Sequence, residues 1–139
     1  MTSDVVAIEQ VLHRYCHAVD RGTLDDVMEV FHRDAVLRPR YEGEESHSGA
    51  EAVRAWYASY LERVRGGTGL LRHMVSTADI RVEGEEARSV CYLSSCAVGR
   101  DGRTYLSVGR YEDRLVKEAG RWWIADRAIL VDHSYSPGA

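Results

Sequence analysis

Apolar residues recur every three or four positions in the first third of the chain, a spacing typical of amphipathic helices. The first apolar stripe consists of Val5, Ile8, Leu12, Tyr15 and Val19. It predicts a helix that has Ser3 or Asp4 at its N-cap and that ends before Gly22.

Two further helices are predicted before the strand-rich part of the chain. Thr23 begins a capping-box pattern, and the helix that follows is expected to include Phe31 and to stop before Asp34. The third helix is predicted to begin within residues 48–51 and to end at the glycine pair 66–67.

The rest of the chain is rich in β-branched and aromatic residues, which favour strands. A short strand is predicted at 35–41 and long strands at 70–82, 87–98, 104–117 and 122–131. Each break between the long strands contains a glycine and suits a tight hairpin. Helices followed by an antiparallel meander define an α+β domain. We expect a cone-shaped, curved antiparallel sheet that wraps around the three N-terminal helices and encloses a pocket, as a single domain of residues 1–139.

Composition excludes several classes of protein. The chain is 45% apolar and 29% charged, as in ordinary globular domains, and its formal net charge of −4 gives no basic character for nucleic-acid binding. No apolar run approaches the ~20 residues that span a bilayer, and the N-terminus lacks a signal-peptide pattern. We therefore expect a cytoplasmic protein that binds neither nucleic acid nor membrane. Cys16, Cys91 and Cys96 have no C-x-x-C spacing and are expected to be free thiols.

A set of segments spread over nearly the whole chain carries a family resemblance. These segments are residues 8–20, 31–35, 72–74, 109–115 and 120–127. In this order they resemble the SnoaL-like branch of the nuclear transport factor two-like superfamily. That superfamily includes dehydratases, a dehydrochlorinase, isomerases, polyketide cyclases and non-catalytic subunits. The resemblance implies the fold and is much less specific for the reaction, because one fold serves many functions.

The resemblance also implies a catalytic pair. The family's scytalone and bile-acid dehydratases and its dehydrochlorinase pair a first-helix aspartate with a strand histidine, and the matching positions here are Asp20 and His73. A histidine can move a proton near neutral pH, and a carboxylate on its other nitrogen fixes the tautomer. From the residues alone, a structural histidine and a solvated Asp20 beside Arg21 stay open.

The face of the strand on which His73 lies is not decided by alternation. One face carries Leu71, His73, Val75 and Thr77, and the other carries Met74, Ala78, Ile80 and Val82. The resemblance implies a homodimer or homotrimer formed through the outer face of the sheet, and Ile80, Val82, Val108 and Val116 are expected to contribute to it.

The resemblance implies two substrate-binding residues as well. Tyr15 matches a pocket tyrosine of the dehydratases, and Arg127 matches a pocket arginine of the dehydrochlorinase. Each has an alternative. Tyr15 lies at the centre of the apolar stripe, where a core tyrosine is equally expected. Arg127 lies inside an apolar strand and could form a structural ion pair with Asp113.

The functional prediction is a cofactor-independent lyase, of the dehydratase or dehydrohalogenase type, acting on a small hydrophobic molecule. An isomerase or polyketide cyclase with the same pair stays open, as does a non-catalytic binding or subunit protein. His13, His17 and Asp20 share one helix face at a spacing that could bind a metal. That face is polar and no fourth ligand is evident, so no metal is expected. The sequence contains neither a Gly-rich phosphate loop nor a nucleotide motif, and no cofactor is expected.

Overall fold

The computed structural model describes residues 2–137 and shows helices followed by long strands. The elements are helices α1 (Asp4–Arg21) and α2 (Leu24–Met28), strands β1 (Phe31–Pro39) and β2 (His47–Ser48), helix α3 (Ala50–Arg63), a 3₁₀ turn (Arg65–Gly67), and strands β3 (Thr68–Glu83), β4 (Glu86–Gly99), β5 (Thr104–Glu118) and β6 (Arg121–Tyr135). This order confirms the predicted α+β fold.

The first two helices begin at the predicted caps. The hydroxyl of Ser3 accepts a hydrogen bond from the backbone N–H of Val6 at 3.2 Å. Thr23 and Asp26 form a reciprocal capping box, with bonds of 2.8 and 3.1 Å. Side chains that satisfy the free N–H groups of a first turn typically stabilise a helix by about 1 kcal/mol.

The second helix is shorter than predicted, because Phe31 opens β1 instead of continuing α2. Phe31 pairs with Ile124 of β6, and the carbonyl of Val30 accepts the N–H of Ile124 at 2.8 Å. The expectation that Phe31 is helical is therefore wrong. Sheet pairing with a distant strand outweighs the local helical spacing.

The strands form one curved, unclosed sheet in the order β2-β1-β6-β5-β4-β3. Strands β3 to β6 form the predicted antiparallel meander, whereas β1 pairs parallel to β6. The apolar side of α1, including the fully buried Ile8 and Leu12, packs in one core with Leu115 and Ile124 of the sheet. Burying each such side chain stabilises the fold by about 1.5–3 kcal/mol, which holds the helix against the concave face.

A β-bulge in β3 changes which residues face the core. The register of β3 against β4 shifts around Thr77, whose φ is 54°. An extra residue at a bulge reverses the alternation beyond it. As a result Val75 before the bulge and Ile80 and Val82 after it all pack against the core. The expectation that Ile80 and Val82 lie on the outer face is wrong for this reason.

The outer face of the sheet carries exposed apolar side chains. Of the residues expected there, Val108 is exposed and Val116 is half-buried. Met74, Val90 and Tyr92 are also exposed. The homodimer or homotrimer stays a prediction. Within residues 2–137, no helix has the length and apolarity needed to cross a membrane.

Candidate functional site

Asp20 and His73 meet where the last turn of α1 lies against β3. Oδ1 of Asp20 is 2.6 Å from Nδ1 of His73, and Oδ2 accepts the backbone N–H of His73 at 2.8 Å. The side chains are 7% and 9% exposed, respectively. Both carboxylate oxygens therefore bind one residue, which fixes the imidazole ring and leaves its Nε2 directed away from the carboxylate.

Arg65 stabilises the helix end that carries Asp20. A carboxylate in the last turn of a helix faces the negative end of the helix dipole. Nη1 of Arg65 donates to the carbonyls of Val19 and Gly22, at 3.2 and 2.7 Å. A cation at these carbonyls offsets the dipole and fixes the end of α1. Arg21, the sequence neighbour of Asp20, is exposed.

Tyr60 of α3 contacts the free nitrogen of the histidine. Its hydroxyl lies 3.3 Å from Nε2 of His73. Burial raises the pKa of Tyr60 far above its usual range, so the phenol keeps its proton. Because Nδ1 needs a proton to bond the carboxylate of Asp20, Nε2 of the neutral ring is an acceptor and Tyr60 is its donor. A bond of 3.3 Å is long, so a substrate atom can replace the phenol.

Tyr60 is absent from the predicted site residues. It stands in a helical run with Trp56 and Tyr57, and such runs are equally typical of a core. Only the contact with His73, which joins two distant elements, separates Tyr60 from its aromatic neighbours.

A cavity of about 640 Å³ lies beside His73 and is partly open to solvent. Its helical wall includes Trp56 and Tyr60 of α3, whose rings stack with centroids 5.4 Å apart and an interplanar angle of 18°. Nε1 of Trp56 donates to Glu42 at 2.7 Å, which holds this wall in place. The volume is in the range of pockets that hold small organic ligands.

Tyr15 is buried and also lines this cavity. Its hydroxyl is 2.6 Å from that of Tyr57, and its ring packs edge-on against Tyr111 at 5.5 Å. Burial raises the pKa of both Tyr15 and Tyr57, so the pair is neutral. Tyr15 therefore lines the cavity, as expected of a pocket residue, while its hydroxyl is already bonded to another tyrosine.

Arg127 does not line the cavity. Its Nε and Nη2 each donate to a carboxylate oxygen of Asp113 at 2.8 Å, and both side chains are 0% exposed. The guanidinium lies 4.3 and 4.0 Å from the ring centroids of Tyr15 and Tyr111. Burial opposes the charge, but Asp113 raises the pKa of Arg127 well above its usual range. Arg127 thus forms the structural ion pair that the sequence left open, behind rings that line the cavity. Its position does not support the expected substrate contact.

The polar face of α1 does not assemble the alternative metal site. Asp20 is bound to His73, and Nδ1 of His17 lies 3.4 Å from Nε of Arg21. Among residues 2–137, no three His, Cys, Asp or Glu side chains are grouped so that they could hold a metal ion. Burial raises the pKa of the neighbouring Cys16 to about 12, which argues against a thiolate nucleophile at this helix end.

Sequence comparison assigns the chain to a family and finds relatives in mycobacteria. Residues 1–128 match the SnoaL-like domain family, which confirms the resemblance carried by the motifs. An uncharacterized protein of Mycobacterium tuberculosis is 30% identical over 128 residues, covering 90% of this chain and 83% of that protein.

Solved structures share the fold over almost the whole chain. A protein of Novosphingobium aromaticivorans assigned as an aromatic ring hydroxylase is 24% identical, with a TM-score of 0.82 over 96% of this chain and 92% of that one. A second protein of that species, assigned as a scytalone dehydratase, is 17% identical, with a TM-score of 0.83 over 98% and 89%. The hexachlorocyclohexane dehydrochlorinase of Novosphingobium barchaimii is 12% identical, with a TM-score of 0.80 over 97% and 90%. At these identities the likeness concerns the fold alone, and it confirms the predicted cone.

Proposed function

The chain belongs to the SnoaL-like domain family, and on this premise we propose that it is a cofactor-independent lyase in which His73 is the general base and Asp20 orients it. The observation that carries the proposal is the 2.6 Å contact between Asp20 and Nδ1 of His73, with Nε2 left toward a cavity. Elimination is also the reaction class in the names of two structural neighbours, a dehydratase and a dehydrochlorinase.

The proposed step is a proton transfer coupled to loss of a leaving group. Nε2 of His73 takes a proton from a carbon next to the one that bears the leaving group. The electron pair of the C–H bond forms a C=C bond, and the leaving group departs with the electrons of its own bond. Asp20 stabilises the imidazolium that results. The imidazolium then returns its proton to the leaving group or to water.

Tyr60 would assist the departure as a hydrogen-bond donor. Since burial raises its pKa, it remains a hydrogen-bond donor while negative charge develops on the leaving atom. Its hydroxyl lies next to Nε2, so substrate entry would transfer this donor from the histidine to the leaving group. Tyr60→Phe is expected to lower turnover less than loss of the base.

The cavity favours a small hydrophobic substrate. Aromatic rings of Trp56, Tyr60 and Tyr15 line it together with aliphatic side chains of the sheet, such as Leu71 and Ile129. A flat ring system can stack on the Trp56 wall and present its edge to His73. Exclusion of water by such a ligand strengthens the hydrogen bonds that act on it.

The test is a screen of β-hydroxy and β-halo carbonyl compounds against wild type, His73→Ala and Asp20→Asn. We expect both variants to lose at least about 100-fold in kcat/KM. Their helical content is expected to be unchanged and their unfolding to remain cooperative. His133→Ala, an exposed histidine of β6, is the matched control and is expected to keep full activity. Release of halide separates elimination from an isomerase or cyclase that uses the same pair. Turnover that survives His73→Ala would sink the proposal.

A further inference from the structure

A row of polar side chains crosses the concave face of the sheet at the level of His73. The strand register pairs His73 with Ser95, Ser95 with Ser107, and Ser107 with Ser134. All four residues line the cavity. Strands β3, β4, β5 and β6 therefore each contribute one polar side chain at the same level of the cavity wall.

The rows on either side are mainly apolar. Toward one end, Leu71, Ala97 and Tyr105 are in register and line the cavity. Toward the other end, the cavity-lining residues Leu93 and Val131 are each in register with Gly109. Ser95 and Ser107 are half-buried and Ser134 is exposed. The row therefore runs along the cavity wall toward solvent, and its hydroxyls are not part of the packed core, where apolar side chains are favoured.

We infer that the serine row, defined as Ser95, Ser107 and Ser134, binds oxygen atoms of an otherwise hydrophobic substrate at a distance from the carbon that His73 deprotonates. The inference rests on the proposed function, because it takes His73 as the reacting end. It adds the substrate class: a flat, ring-containing molecule that carries a hydroxyl or carbonyl group at the end away from the reacting carbon.

Strand spacing sets the length of this ligand. Neighbouring strands lie about 4.8 Å apart, so Ser107, two strands from β3, is roughly 10 Å from the backbone that carries His73. A single six-membered ring is too short to reach both, whereas two fused rings with a polar substituent span most of that distance. The stacked pair of Trp56 and Tyr60 forms an opposite wall for such a ligand.

Ser107 and Ser134, at the end of the row away from His73, have unused hydrogen-bond donors and acceptors. The hydroxyls of Ser107 and Ser134 are 2.9 Å apart, so one donates to the other. The accepting hydroxyl keeps its own proton, and both keep acceptor positions. The pair can therefore donate to a carbonyl or a phenolate and accept from a hydroxyl.

The test uses binding and not turnover. The probes are 2,6-dihydroxynaphthalene and naphthalene, which share a two-ring frame and differ in their oxygens, with Kd measured by calorimetry. We expect Ser107→Ala and Ser95→Ala each to weaken the dihydroxy probe by about 3–10-fold, the usual worth of one hydrogen bond, and to change naphthalene by less than about twofold. Ser94→Ala, on the same strand as Ser95 but exposed and outside the cavity lining, is the matched control and is expected to change neither.

Equal weakening of both probes, or no weakening in either serine variant, would overturn the inference. The outcome is independent of the screen for lyase activity. A serine-dependent preference in a protein that shows no turnover would remove the proposed reaction and leave recognition by the row standing. Turnover that depends on His73, without a serine-dependent preference for the dihydroxy probe, would support the proposed reaction and overturn recognition by the serine row.

Discussion

Two buried pairs of ionisable groups lie on the concave side of the same sheet, and they differ in what they leave free. Asp20 and His73 join a helix to a strand, and Nε2 of the histidine remains beside the cavity with one long contact to Tyr60. Asp113 and Arg127 join adjacent strands through two bonds of 2.8 Å behind aromatic rings. Burial is common to both pairs. The candidate site differs from the structural pair because it has an accessible atom with one long hydrogen bond, Nε2 of His73.

The pairs also differ in how each responds to loss of a partner. Histidine can give up its charge near neutral pH, whereas arginine cannot. Removing the carboxylate from His73 therefore leaves a ring that has an uncharged form, while removing it from Arg127 leaves a buried cation. Loss of a partner is therefore expected to destabilise the fold more at Arg127 than at His73.

Asp113→Ala is expected to lower the free energy of unfolding by about 3–5 kcal/mol, because it leaves the charge of Arg127 buried without a partner. Urea unfolding near pH 7 measures the change. The double variant Asp113→Leu with Arg127→Met is the control, and it is expected to recover most of the loss since neither charge remains. A single variant that costs less than about 1 kcal/mol would mean that the pair does not hold these strands.

Asp20→Asn is expected to cost only about 1–2 kcal/mol, because the amide oxygen can still accept the backbone N–H of His73. Its effect on turnover is expected to be far larger than its effect on stability. Asp25 is an exposed aspartate of α2, and Asp25→Asn is the control for the effect of replacing a carboxylate by an amide. If Asp20→Asn destabilised the fold as much as Asp113→Ala, the distinction between a candidate catalytic pair and a structural pair would be wrong.

Arg65→Ala is expected to lower stability by about 0.5–1.5 kcal/mol through loss of its bonds to the carbonyls at the end of α1. It should also shift or broaden the low-field proton resonance of Nδ1 of His73, since Asp20 lies between those carbonyls. Arg54→Ala, which removes an exposed ion pair with Asp25, is expected to change stability by less than about 0.5 kcal/mol and to leave the resonance in place. An unchanged resonance in Arg65→Ala would exclude a positioning role.

The hairpins and helix caps follow from local sequence, and the bulges do not. Glu118 pairs with Arg121 around a two-residue turn, as its glycine predicts. Continued without a break, that hairpin would set Asp113 opposite Asp126. A register shift between Arg114 and Leu115 brings Arg127 there instead.

Non-local packing fixes such shifts, so alternation along a strand is reliable only as far as the next bulge. The bulge in β3 is the reason why the strand pattern left the face of His73 undecided and wrongly placed Ile80 on the outer face. The expected contact of Asp20 with His73 came from the family resemblance, and periodicity alone did not predict it. The sequence around Tyr60 gives no indication of a functional role, because its contact with His73 joins α3 to β3, which are distant elements. The catalytic role of these residues stays a prediction.

The parallel pairing of β1 with β6 has a consequence during synthesis. Strand β6 lies between β1 and β5, and the ion pair between Arg38 and Asp126 links residues 88 positions apart. At translation rates of about 5–20 residues per second, Asp126 is added to the chain roughly 5 to 20 s after Arg38. Over that interval the unpaired edge of β1 and the apolar side chains of Phe31 and Leu37 are open to chaperones and to other nascent chains.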